Sequence, residues 1–309
     1  MQSCVEKSVK VENSIPTIEQ VNVVKEAIPK DFESMIRPNE KLILGKVYTD
    51  TLEYVGDNDE GDNWLFIVKK QLDSIYIINN TENNFVRGDV VEIQWKMDSI
   101  RYAGDESFLD FREHLVTTKK IRPLKLTPKK VKFLWRETSY DKKFDADISR
   151  IIFDQQYLAN ISDPERAALG YAATFIGNGC EWDGRANEDR SNLKCEILWA
   201  LKLGHQCSHQ HLDYLRYWFR NKPTILKELE NCPTTPEGAT VQDTFDEINV
   251  EVKGTEIIIS FKASGFNMRE GESWQWTEKQ VFKFKENQLL LVSKQSSPKN
   301  RSKFEVRGN

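Results

Sequence analysis

VVEIQWKM, residues 90–97, alternates apolar and polar side chains from Val91 to Met97. Val91, Ile93, Trp95 and Met97 fall on one side of an extended chain, with Glu92, Gln94 and Lys96 on the other. That is the period-two pattern of a strand buried on one face. The same period runs through the segments around it: KLILGKVYTDTLEYV from Lys41, NWLFIVKK from Asn63, SIYIINN from Ser74 and HLVTTKKI from His114, separated by clusters of turn formers. Just ahead of VVEIQWKM, Arg87, Gly88 and Asp89 read as a turn entering the strand, with Gly88 supplying a positive φ.

Some five strands within residues 39–122, without a long helical pattern, predict a small antiparallel β-barrel of OB-like type (oligonucleotide/oligosaccharide-binding). Ahead of it, residues 1–38 are polar, carry Pro16, Pro29 and Pro38, and read as a tether. Behind it, residues 123–132 form a basic linker. Pro123 and Pro128 stand there within the run Lys119, Lys120, Arg122, Lys125, Lys129, Lys130 and Lys132, read as a solvated connection with phosphate docking as the alternative.

Residues 133–309 change character and predict an α+β domain, with helices in 143–230 followed by a β-meander over 245–294. Ile148, Ile151, Ile152 and Leu158 recur at helical spacing. Asp163 as N-cap with Pro164 at N1 opens a second helix, Leu193, Ile197 and Leu201 line a third that stops before Gly204, and Ser208 caps a fourth whose stripe is Leu212, Leu215 and Phe219. Lys253-Gly254 and Glu286-Asn287 are the expected hairpin turns of the meander.

Cys180, Cys195, Cys207 and Cys232, four of the five cysteines, all lie in the helical part of this second unit. An even number confined to one subdomain predicts disulfides. Of the three possible connectivities we favour Cys180 with Cys195 and Cys207 with Cys232, each closing a modest loop. The competing reading takes HQCSHQH literally: His205, Cys207, His209 and His211 as ligands of zinc or copper, or Cys207 as a nucleophile with His211 as its base. A helix from Ser208 onward works against a single four-ligand site, and no CxxC or HExxH pattern supports it, so no metal or other cofactor is expected. The stretch Gly56–Asn63 gathers carboxylates and asparagines but does not follow calcium-loop spacing. Trp274 and Trp276 alternate on one face of a strand beside Arg269, and form a candidate binding platform for a sugar or a peptide if they are not core.

The formal net charge of −4 gives no whole-molecule attraction to nucleic acid, and no segment approaches the apolar length of a membrane span. The start MQSC, with small Ser3 before Cys4, is similar to the trimmed start of a bacterial lipoprotein, in which that cysteine receives lipid. DTL at Asp50 and DSI at Asp73 and Asp98 look like the acceptor pattern for O-glycosylation in exported Bacteroidetes proteins. On these motifs the chain resembles the exported lipoproteins of that group, in general architecture only; no activity and no catalytic residue comes with the resemblance. What it implies is a non-enzymatic binding or interaction protein of the periplasm or cell surface, anchored to membrane only through Cys4, with a protein or glycan ligand. The rivals are a cytoplasmic metal- or thiol-dependent enzyme centred on Cys207, His209 and His211, and a nucleic-acid-binding OB-like protein.

Overall fold

The computed structural model describes residues 31–304 apart from 60, 81–82, 103–104, 144, 177–192, 205 and 233–240. Five strands, β1 (Val47–Asn58), β2 (Trp64–Lys70), β3 (Asp73–Asn79), β4 (Val90–Tyr102) and β5 (Asp105–Arg122), close into a barrel in the order β1-β2-β3-β5-β4. The alternation in VVEIQWKM does what its period demands. Val91, Ile93, Trp95 and Met97 are buried in the barrel core, joined by Tyr48, Leu52, Phe66, Val68, Ile75 and Ile77 from the neighbouring strands. Closure needs one parallel contact, between β3 and β5, and its ladder is the pair Ile78 and His114.

The tether expected over residues 1–38 is corrected where the structure describes it. Phe32 and Ile36 belong to the barrel core, and Phe32 pairs with Leu42 across a short bridge. These two apolar side chains are only four residues apart in a polar segment, so no periodicity announces them. Residues 1–30 lie outside the described residues.

The second unit is a seven-stranded antiparallel sheet: β6 (Lys129–Asp141), β7 (Ala146–Phe153), β8 (Val241–Lys253), β9 (Glu256–Asn267), β10 (Glu272–Lys285), β11 (Gln288–Ser296) and β12 (Asn300–Lys303). Its order is β11-β10-β9-β8-β6-β7, with β12 pairing β10 beyond the end of β11. Among the described residues five helices, α1 (Gln155–Ala159), α2 (Asp163–Thr174), α3 (Leu193–Ala200), α4 (His209–Trp218) and α5 (Pro223–Glu230), come between β7 and β8 in the chain. They pack with one face of the sheet into a single core. Among the described residues, no helix is long and apolar enough to cross a membrane.

Three expectations change here. The first helix expected in 143–230 is a strand: β7 pairs along its whole length with β6, from Phe153 opposite Leu134 to Ala146 opposite Asp141. Isoleucines at 148, 151 and 152 fit a helical stripe, but β-branched side chains are at least as well placed in a strand, and an adjacent edge was there to take them. The basic linker over 123–132 ends early, because Lys129 already begins β6 and Leu126 is buried in the second core. The α2 N-cap is Ser162 rather than Asp163, and the reciprocal bond runs from the Ser162 N–H to the Glu165 carboxylate at 3.3 Å. The turns are as expected: Gly254 has φ +61°, and Glu286 and Asn287 both have positive φ, the signature of a type I′ hairpin.

The two units are joined through Asp89, which is fully buried. Its carboxylate accepts the Val86 N–H at 2.9 Å and the Leu124 N–H at 2.8 Å, and is paired with the Lys120 ammonium. Gly88 has φ +94°, which favours glycine, and a Cβ there would also press on the tip of the Leu124 side chain at 2.7 Å. Further bonds cross between the units, from Asn287 Nδ2 to the Asn84 carbonyl at 3.2 Å and from the Tyr217 hydroxyl to Asn84 Oδ1 at 3.3 Å. Removing the Asp89 carboxylate leaves the part-exposed Lys120 able to reach water but strands the Val86 and Leu124 N–H groups, at a cost of about 1–3 kcal/mol each. Asp89→Ala is therefore expected to lower the urea midpoint of the whole chain by that equivalent, with Asp89→Asn falling between it and the wild type.

Candidate functional site

Cys207 and Cys232 form a disulfide, with Cα atoms 5.9 Å apart and a sequence separation of 25. It ties the residue before the α4 N-cap to the residue after the α5 C-cap, and Cys207 takes a positive φ of 59° to reach it. Cys195 falls in α3, whereas Cys4, Cys180 and His205 lie outside the described residues. The reading of Cys207 as a metal-bound thiolate or nucleophile is overturned, because its sulfur is bonded to Cys232. His211 is fully buried with both ring nitrogens engaged. Nδ1 accepts the Cys207 N–H at 3.1 Å, so the proton sits on Nε2, which faces the Thr174 hydroxyl at 3.2 Å. Thr174 in turn donates to the Gly170 carbonyl at 2.8 Å. His211 is thus a structural hydrogen-bonding unit inside the helical layer, and His209 is exposed on the first turn of α4. Among the described residues no three His, Cys, Asp or Glu side chains converge as metal ligands.

Trp274 and Trp276 do share one face of β10, but it is the core face, and they are 7% and 8% exposed. Their outer surfaces are covered from the strand that follows the Ser297 bend. The Lys299 ammonium lies 5.1 Å and 4.5 Å from the two ring centres, and the Arg301 guanidinium 5.4 Å from the first. The Trp274 indole crosses the backbone of β9 to donate to Asp243 Oδ1 at 2.6 Å. Gly265 makes that crossing possible, since a Cβ there would stand 2.1 Å from the Asp243 oxygen and 2.4 Å from the indole nitrogen. Arg269 is in the exposed turn between β9 and β10, whose N–H bonds to Asn267 Oδ1 at 3.0 Å. The three residues therefore do not form one open platform.

Three of the seven cations of the basic run are paired. Lys120 pairs with Asp89, Lys129 with the buried Glu165 at 3.1 Å, and Lys132 with Glu247 at 3.0 Å. Asp89, the acid of the Arg87-Gly88-Asp89 turn, is not accessible to any partner. In the acidic stretch after Val55, Asp57 accepts the Tyr54 hydroxyl at 2.7 Å.

Sequence reasoning missed a cleft at the barrel closure. Away from the Ile78 and His114 bridge, β3 and β5 part. Between them and residues 33–39 lies a hollow of about 510 Å³, lined by Met35, Tyr76, Met97, Phe111, Arg112 and Glu113 among others. Tyr76 and Met35 are 55% and 54% exposed at its mouth. The signal available in the sequence was the outward tyrosine in SIYIINN, on the face opposite Ile75 and Ile77. His114 marks the closed end. Its Nε2 is enclosed without a hydrogen-bond partner among the described residues. Burial holds the imidazole below its usual pKa, with Lys96 acting in the same direction and Asp98 and Glu113 opposing.

No protein-family model, curated protein or solved structure matches this chain.

Two outcomes follow from these arrangements. Closing a loop of 25 residues contributes about 3 kcal/mol in the chain-entropy account, so Cys207→Ser/Cys232→Ser is expected to lose stability of that order in chemical denaturation. For His114, the folded chain resists a proton that the unfolded chain accepts. Its contribution is intact above the usual imidazole pKa and is lost as the pH falls from there toward the depressed folded value. The melting temperature of the wild type should therefore drop more steeply between pH 7.5 and about 5.5 than that of His114→Gln.

Proposed function

We propose that this chain is an exported, non-enzymatic binding protein. It is lipoprotein-like and held to membrane through a lipid on Cys4, and it engages a protein or glycan in the periplasm or at the cell surface. Its barrel is of OB type and its second unit an α+β domain. The observation that carries the compartment is the Cys207–Cys232 disulfide, because such cross-links form and persist where the surroundings are oxidising. The barrel type is supported by the strand order β1-β2-β3-β5-β4 with a parallel β3–β5 closure. The export reading gains further support from the three hydroxyl-bearing tripeptides, since Thr51, Ser74 and Ser99 are all exposed. Binding is favoured over catalysis by the way the chemistry-bearing side chains are spent. Cys207 is oxidised, His211 is locked between the Cys207 amide and Thr174, and Glu165 is bonded to Lys129, Tyr157 and Ser162. Nucleic-acid binding through the basic run is disfavoured by the pairing of Lys120, Lys129 and Lys132.

The test is to alkylate thiols in intact cells before lysis, then map peptides and fractionate the cells. The expected result is a linked Cys207–Cys232 peptide, a lipid mass on Cys4 and protein in the envelope fraction. Alkylated Cys207 and Cys232 in a soluble cytosolic fraction would overturn the reading.

A further inference from the structure

The face of the second sheet that turns away from the helices carries a continuous polar surface. On β9 it presents Ser260, Lys262 and Ser264, and on β10 Gln275, Thr277 and Lys279, while Phe261, Ala263, Trp274 and Trp276 point the opposite way into the core. The rungs extend the pattern sideways. Asn249 lies opposite Ser260, which lies opposite Lys279, which lies opposite Gln295; Glu247 lies opposite Lys262, which lies opposite Thr277. Along this face run hollows of about 450, 440 and 350 Å³. The first two share Lys262, Thr277 and Ser297, and the last two share Gln275 and Asn300, so they form one trough. From Ser273 to Lys279 it follows β10 for about 20 Å at the rise of a strand.

The charges in the trough are unevenly satisfied. Glu247 is held by the Asn249 amide at 2.7 Å and by Lys132 at 3.0 Å, and these bonds, with the nearby charges of Lys132 and Lys262, keep its carboxyl below the usual range. Asp246 is held by Arg136 at 3.2 Å and by the Ser264 hydroxyl at 2.9 Å. Lys262 and Lys279 are exposed and take part in no ion pair among the described residues. They are diagonal neighbours across β9 and β10, about 7–8 Å apart by sheet geometry. A third acid of the lining, Glu278, is buried and held by the Gln280 amide at 2.6 Å, the Ser296 hydroxyl and the Lys294 ammonium at 3.8 Å. All three acids are thus engaged, and Lys262 and Lys279 are left without an ion pair in the middle, on a chain whose net charge is −4.

We propose that this trough binds an extended acidic polysaccharide, its carboxylates seated on Lys262 and Lys279 and its hydroxyls on the surrounding Ser, Thr, Asn and Gln side chains. The ligand class follows from the lining. Short hydroxyl and amide groups match a hydroxyl-rich chain, whereas a protein hot spot needs a buried aromatic or aliphatic anchor. Two separated cations suit occasional carboxylates better than the dense phosphates of a nucleic acid, and the one aromatic side chain that β9 presents on this face, the half-buried Phe266, stands at the far end of the trough rather than between them. The proposal deepens the reading of the chain as an exported glycan binder and rests on it.

The experiment is binding of the purified, oxidised full chain to polygalacturonate, with neutral dextran and single-stranded DNA as parallel probes. Polygalacturonate should be retained and dextran not, and binding should weaken with added salt. Lys262→Gln/Lys279→Gln should lose about tenfold or more in affinity at an unchanged melting temperature, while Lys125→Gln/Lys142→Gln should bind like the wild type. Absence of polygalacturonate binding, equal retention by dextran, or an unaffected Lys262/Lys279 variant would overturn the proposal. So would DNA binding of equal strength through the same two lysines, which would assign the face to nucleic acid. The thiol-trapping result is independent of all these, so loss of the export reading and loss of the glycan site are separately visible.

Discussion

The carboxylate of Asp89 is the point on which the two halves of the molecule turn. A charged group with no solvent exposure is tolerated only when its oxygens are fully bonded. Here the bonds come from a barrel loop, from the last barrel strand and from the segment leaving the barrel. The Asp89 backbone adds to this, its carbonyl taking the Tyr54 N–H at 2.8 Å and its N–H reaching the Val86 carbonyl at 2.8 Å. Satisfying one buried charge therefore fixes the position of Leu124, and with it the direction in which the chain enters β6. Val86 and Leu126, on either side of this knot, are already part of the second core. The barrel and the sheet share packing as well as a covalent connection.

The helical layer obeys the same rule, that buried polar atoms are placed only where bonds await them. Glu165 closes the N-terminus of α2, receives the Tyr157 hydroxyl at 3.1 Å and pairs with Lys129 of β6, so a capping residue also fastens helix to sheet. His211 joins α4 to α2 through Thr174 and supports the Cys207 amide. The disulfide, the histidine and the N-cap Ser208 form one local assembly, which is why histidines and cysteines crowd together in the sequence without constituting a reactive centre.

Much of the barrel was legible because period two survives when one face is buried, as Val91 to Met97 illustrate. The same period correctly placed Trp274 and Trp276 on a common face. It could not say which face the helices would cover, since alternation is symmetric until a neighbour is specified. That single missing fact moved attention to the indoles and away from Gln275, Thr277 and Lys279 on the reverse side. The strand at 146–153 was misread for a related reason: its isoleucines fall at helical spacing, and their β-branched side chains decide for a strand only once the partner β6 is known, whose pairing stretch Leu134–Asp141 shows no clear alternation of its own. The cysteine count led to the correct pair at Cys207 and Cys232, because loop closure between neighbouring elements is a nearly local constraint. The barrel cleft arises from a parallel contact between strands that are not neighbours in sequence, and no local pattern encodes it.

The position of the helices between β7 and β8 bears on how the chain is assembled during synthesis. β6 pairs with β8, and Trp135 faces Glu247 across more than a hundred residues of intervening chain. The β6–β7 hairpin is therefore made early, with the inner edge of β6 bare until the chain beyond Val241 has emerged. An unpaired strand edge is a template for the wrong partner, and contacts so distant in sequence form slowly. A chain with this topology depends on being kept from its neighbours while it waits for its own C-terminal half.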